Sequence, residues 1–108
     1  MRESRSFPRL NANWRGAIMI APGNIVPLKV VNYSPSGLQL QCNVVLKEQQ
    51  RYQMMMEVPG KHDASERTQV VCKATCVYTI LSGGEYRAGM QQLEIPAEHQ
   101  ALLDSWQQ

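Results

Sequence analysis

The chain has 108 residues, of which 44% are hydrophobic, and its formal net charge is +2. This length suits one domain with its own core, and the apolar fraction excludes wholesale disorder. So small a net charge argues against DNA or another long polyanion as the partner.

Six strands are predicted in chain order. Residues 1–12 precede the first periodic segment and are expected to form a flexible N-terminal arm. Alternating apolar and polar residues then predict strands within residues 14–20, 26–30, 38–42, 52–58, 70–80 and 86–93. Turn-forming residues separate these segments, which favours a small antiparallel β-barrel over residues 13–93. In the fifth strand, the alternation predicts that Tyr78 and Ile80 face the core together with Cys76.

The C-terminus changes to helical periodicity. Pro96 suits the start of a helix, and Leu102, Leu103 and Trp106 follow at helical spacing. We predict one α-helix over residues 96–107 that closes an end of the barrel. The expected fold is therefore all-β with a C-terminal helix, in a single domain spanning residues 1–108.

Three cysteines, Cys42, Cys72 and Cys76, lack the spacing of a metal or redox motif, so we interpret them as buried thiols in a reducing cytoplasm. No signal peptide and no apolar run of ~20 residues is present, which predicts a cytoplasmic protein without membrane insertion. No catalytic motif and no set of metal ligands emerges, so neither an enzyme nor a metal or cofactor site is expected.

Arginines dominate the N-terminal arm. Residues 1–31 contain five cations and a single acid, Glu3, so this end of the chain is suited to an anion. Arg5 and Arg9 are four positions apart, and in an extended arm their side chains point to the same side. Guanidinium groups donate paired hydrogen bonds to phosphates or to the O6 and N7 atoms of guanine. The two arginines therefore indicate an anionic ligand.

A polar turn, Asn32 to Gly37, separates the second and third strands. Asn32 and Ser34 have short polar side chains that cap the local backbone or meet a ligand. Gly37 permits either a positive φ or the close approach of another group. An ordinary β-turn and a ligand-binding loop both fit this segment.

Arg-x-x-x-Arg before the first strand, followed by Asn-x-Ser-x-x-Gly between the second and third, resembles the signature of the PilZ domain family. Residues 86–93 are similar to the family's late strand, and residues 96–106 to its closing helix. The resemblance implies a bacterial receptor for cyclic di-GMP. It implies that Arg5 and Arg9 bind phosphates and guanine edges. It also implies that Asn32 and Ser34 contact a guanine or phosphate across the loop, and that Gly37 lets the ligand come near.

Arg87, at an outward position of the sixth strand, is a further candidate ligand contact. We expect ligand binding to order the arm and to alter a surface that a partner protein of unknown identity recognises. In one alternative, the chain is a PilZ-like interaction module of pilus or motility machinery that binds no nucleotide. In another it binds single-stranded RNA, but the aromatic residues are too scattered for a stacking platform.

Overall fold

A computed structural model describes residues 10–63 and 65–106 of the chain. Arg5 and Arg9 lie outside the described residues. The elements are β1 (Leu10–Ala21), β2 (Asn24–Ser34), β3 (Gly37–Cys42), β4 (Arg51–Pro59), β5 (Arg67–Ser82), β6 (Glu85–Glu94) and α1 (Ala97–Ser105). Strand β1 begins before the expected start of the barrel, so residues 10–12, assigned to the arm from the sequence, belong to the first strand.

The six strands form a closed barrel in the order β1-β2-β3-β6-β5-β4. Every neighbouring pair is antiparallel, including β1 with β4, which closes the ring. This confirms the predicted fold class of a six-stranded antiparallel barrel with one C-terminal helix. Closure leaves no strand without a partner on either side, which removes the exposed edges of an open sheet.

The core follows the two-residue period of the strands. In β4, Met54 and Met56 are buried, whereas Met55 between them faces outward and is half-buried. Cys72 and Cys76 lie among the buried residues of β5 and are free thiols, as is Cys42 of β3. The expectation that all three cysteines are buried is therefore confirmed.

Strand β5 departs from the prediction after Cys76. Its pairing with β6 shifts register between Cys76 and Tyr78, and the following residues change sides. Tyr78 is 36% exposed and Ile80 is 51% exposed, so the prediction that they face the core is wrong. The irregularity lies where the β3–β4 loop crosses: Gln49 N donates to Cys76 O, and Thr79 Oγ1 donates to Leu46 O. A register shift of this kind reverses which face each later side chain occupies.

Helix α1 covers the barrel end at which β1 begins and β2 ends. Leu103 is fully buried, and the Trp106 ring lies 6.0 Å from the ring of Trp14 in β1. Trp106 Nε1 donates a 3.1 Å hydrogen bond to the carbonyl of Pro59 at the end of β4. Within the described residues, no helix has the length and apolar character to cross a bilayer.

Candidate functional site

The N-terminal arm joins the barrel beside the polar turn. Leu10, the residue after Arg9, pairs with Tyr33, and Asn11 pairs with Asn32. Tyr33 and Asn32 immediately precede the turn that connects β2 to β3. The two motifs, separated by more than twenty residues in the sequence, are thus attached to the same end of the barrel.

Asn32 begins a line of polar contacts across the outside of the barrel. Its Nδ2 donates to Gln39 Oε1 on β3 at 3.0 Å, and Gln39 Nε2 donates to the Tyr78 hydroxyl on β5 at 2.6 Å. Asn32 and Gln39 are partly exposed, as is Tyr78. Amide and phenol groups at such a surface can exchange these mutual bonds for bonds to a polar ligand.

Ser34 is the last residue of β2, directly before the turn residues Pro35 and Ser36. It is completely buried, and its hydroxyl donates to the Gly37 carbonyl at 3.3 Å and lies 3.0 Å from the Ser36 hydroxyl. These bonds satisfy a buried polar group and fix the path of the turn. Its described contacts are therefore those of a residue that shapes the loop.

Gly37 faces the backbone of β6. It is absent from the glycines with positive φ, so the first of the two predicted reasons for this glycine is wrong. A Cβ at this position would collide with the carbonyl oxygen of Met90 on β6. The close approach that requires glycine here is therefore the approach of a neighbouring strand.

Tyr78 and Gly89 form a feature that sequence reasoning missed. The two residues are paired between β5 and β6, and the tyrosine ring lies so closely over Gly89 that a Cβ there would enter the ring. The glycine lets the ring lie flat on the barrel with its hydroxyl reaching Gln39. The sequence signal was the isolated Gly89 within a strand pattern, which marks a close approach. This arrangement leaves an aromatic face next to the polar contacts of Asn32 and Gln39.

Arg87 occupies the next outward position of β6, two residues before Gly89. It pairs with Gln41 of β3 and Ile80 of β5. Its Nε is buried and lacks a hydrogen-bond partner within the described residues. A buried donor without an acceptor is costly, so this nitrogen is suited to donate a hydrogen bond to a ligand oxygen.

Burial suppresses ionisation in the core beneath this surface. It raises the pKa of Tyr33 to about 12, with a further contribution from the Asp104 carboxylate of α1. It raises the pKa of Cys72 to about 11, although Arg51 acts in the opposite direction. A thiol with so high a pKa is a poor nucleophile and a poor metal ligand at neutral pH. The described residues contain no group of three or more side chains suited to holding a metal ion.

Comparison with known proteins gives a structural likeness. No family model matches the sequence, and no curated protein matches it. The solved structure of the Bacillus subtilis inhibitor of motility MotI/DgrA is similar, with a TM-score of 0.79 over 97% of this chain at 16% sequence identity. The match covers 50% of that protein, so the chain spans about half its length. Identity this low shows the fold alone, and the fold is PilZ-like.

Proposed function

We propose that the chain is a single PilZ-like domain that binds cyclic di-GMP and acts as a receptor, not as an enzyme. The pairing of Leu10 with Tyr33 carries this proposal, because it attaches the arginine-bearing arm next to the Asn32–Gly37 turn. Arg9 immediately precedes Leu10. Arg5 lies within about 18 Å of Leu10 even along a fully extended chain. Both guanidinium groups can therefore reach a ligand bound over Asn32.

The chemistry of the exposed groups suits a cyclic dinucleotide. Its two phosphodiesters carry negative charge, and each guanine offers O6 and N7 acceptors to a guanidinium fork. Asn32 and Gln39 supply amides for the polar edges of a base. The Tyr78 ring, flat over Gly89, supplies a face on which a base can stack. Arg87 adds a cation with a donor that has no described acceptor.

The predicted ligand set divides into two roles. Arg5, Arg9, Asn32 and Arg87 contact the nucleotide, whereas Ser34 and Gly37 hold the turn in shape through the contacts described above. Ligand binding orders the arm along the barrel, and a partner protein in the cytoplasm responds to the altered surface. The structurally similar protein MotI/DgrA is an inhibitor of motility, which supports a regulatory role for this chain.

Isothermal titration with cyclic di-GMP tests the proposal. Binding tighter than ~100 μM is expected, corresponding to about −5.5 kcal/mol. The Arg5→Ala, Arg9→Ala double variant should lose more than tenfold in affinity, because each charge-assisted bond contributes about 1.5–3 kcal/mol. Arg67→Ala is the matched control. Arg67 is an exposed arginine at the start of β5, on a different strand from those that form the turn. Equal affinity of the double variant and the control would contradict the proposal.

An exposed apolar surface favours the alternative, a PilZ-like adaptor in pilus or motility machinery that recognises protein without nucleotide. Ala17, Met55 and Val71 are paired across β1, β4 and β5 and face outward, with Val71 45% exposed. Apolar groups of this kind suit contact with another protein. The adaptor would be favoured if cyclic di-GMP failed to bind and a Val71→Asp variant lost its regulation of pilus or motility machinery.

A further inference from the structure

We propose that a row of cations across β1, β2 and β6 forms an anion-binding subsite that holds a phosphate of the ligand from the barrel side. This inference rests on the proposed function and adds residues to that site. Arg15 pairs with Lys29, Lys29 with Gln41, and Gln41 with Arg87. Residues paired in register lie side by side on one face, and adjacent strands are ~4.8 Å apart. The row is therefore about 14 Å long.

The row pairs two like charges across β1 and β2. Arg15 and Lys29 are directly opposite each other and both are exposed. Like charges in this position repel each other and weaken the sheet. Within the described part of the chain, neither they nor Arg87 form an ion pair. A bound anion would convert this repulsion into attraction.

Arg87 contributes a nitrogen that has no described hydrogen-bond partner. Its Nε is removed from water and donates to no acceptor among the described residues. The amide oxygen of the paired Gln41 does not accept a bond from this nitrogen, and Gln41 Nε2 donates to Glu85 Oε1 at 2.6 Å. Glu85, two residues before Arg87 on β6, is the acid that borders the row, and its carboxylate accepts this bond from Gln41. An incoming phosphate oxygen is the kind of acceptor that the Arg87 guanidinium lacks.

A groove lies beside Lys29. It has a volume of about 350 Å³, and Asn11, Asn13, Lys29 and Gln41 supply its polar lining, with no acid among its lining residues. Asn13 has a φ of 80° within a register shift between Asn11 and Trp14, so β1 bulges outward at this point. Asparagine tolerates this left-handed conformation, and β-bulges are frequent next to binding and active sites, where they re-aim side chains. The groove continues from the row to Asn11, the partner of Asn32.

Removing charges from the row tests the inference. Lys29→Gln and Arg87→Gln should each weaken cyclic di-GMP binding about tenfold, and their affinities should depend less on salt than that of the unchanged protein. Lys73→Gln is the control, because Lys73 is an exposed lysine beside Gln53 and Glu94, outside the row. Unchanged affinity in both row variants would overturn the inference and leave the proposed function standing.

Stability separates a binding role from a structural one at Arg87. Because Arg87→Gln removes a buried donor that lacks a partner, the variant should unfold at a urea concentration equal to or higher than that of the unchanged protein, although it binds more weakly. A variant that loses affinity only because it unfolds would contradict the inference. Arg87→Lys keeps the positive charge but lacks the paired donors of a guanidinium, so it should bind more tightly than Arg87→Gln and less tightly than the unchanged protein.

Binding of inorganic pyrophosphate tests the anion-binding subsite if cyclic di-GMP does not bind. That failure would remove the proposed function, and the row can still be tested by NMR with pyrophosphate as the probe. Amide shifts at Arg15, Lys29 and Gln41 that saturate and disappear in Arg87→Gln would support an anion subsite. Absence of such shifts in the unchanged protein would overturn it.

Discussion

Tyr78 and Gly89 depend on each other because the tyrosine ring occupies the space that a side chain at position 89 would need. Gly89→Ala should reduce the free energy of unfolding by about 1–3 kcal/mol, as overpacking does elsewhere. The loss should be much smaller in a Tyr78→Ala background, where the obstructing ring is absent. Urea denaturation of the four proteins of this double-mutant cycle measures the coupling. Strictly additive effects would show that the ring does not lie over the glycine.

Ser34 offers a second test at the scale of one residue. Its buried hydroxyl donates to the Gly37 carbonyl, so Ser34→Ala should reduce the free energy of unfolding by about 0.5–1.5 kcal/mol. Affinity for cyclic di-GMP should fall less than in Arg9→Ala, because the serine shapes the turn and the arginine contacts the ligand. Parallel denaturation and titration experiments compare the two variants. A large loss of affinity with unchanged stability would assign Ser34 to the ligand instead.

The sequence identifies Ser34 and Gly37 as candidate site residues but does not predict their roles. A short polar residue in a turn is equally compatible with capping the backbone and with meeting a ligand. The proximity of Gly37 to Met90 depends on the pairing of β3 with β6. That pairing joins segments about fifty residues apart, and no local pattern specifies it.

At the scale of elements, periodicity predicted the strands well and their irregularities poorly. The apolar alternation of β5 runs through residues 70–80 without interruption, yet the shift after Cys76 turns Tyr78 outward. The cause is tertiary: the β3–β4 loop takes the hydrogen bonds of Cys76 and Thr79. The bulge at Asn13 was likewise not predicted, because asparagine tolerates left-handed backbone without any other sequence signal.

Helix α1 contributes to stability through one buried side chain above all. Leu103 is fully buried against the barrel end, so Leu103→Ala should cost about 2–5 kcal/mol of the free energy of unfolding. Gln100→Ala removes a half-buried side chain whose Nε2 donates to Asp104 Oδ1 within the same helix, and it should cost less than about 0.5 kcal/mol. Thermal or urea denaturation distinguishes these outcomes. Similar small losses in both variants would mean that the helix does not close the barrel.

At the scale of the whole molecule, the sequence predicted a closed barrel and could not predict its surface. Alternation identifies which residues face inward, and six such segments with tight turns favour a barrel. The cation row requires the registers of β1 with β2, β2 with β3 and β3 with β6 together. A single-residue error in any of them would disperse Arg15, Lys29 and Arg87, so the row emerges only from the assembled barrel.

A buried thiol, Cys72, and a buried phenol, Tyr33, predict how the stability of the fold changes at alkaline pH. Burial raises the pKa of Cys72 from 9.0 to about 11 and that of Tyr33 from 10.0 to about 12. At pH values between the unfolded and folded pKa, the unfolded chain has released a proton that the folded chain retains. The free energy of unfolding therefore falls as pH rises, from about pH 9 for Cys72 and about pH 10 for Tyr33. Each group should contribute about 2–3 kcal/mol over its full range.

Urea denaturation between about pH 8 and pH 11 measures this decline, and Tyr33→Phe is its control. The variant keeps the ring that packs 5.9 Å from Trp14 but removes the phenol proton, so its stability should decline less steeply above pH 10. Cys72→Ala should lower stability at neutral pH through the cavity it leaves, while removing the part of the decline that begins near pH 9. If both variants followed the same pH profile as the unchanged protein, neither group would be held in the dry interior that the closed barrel requires.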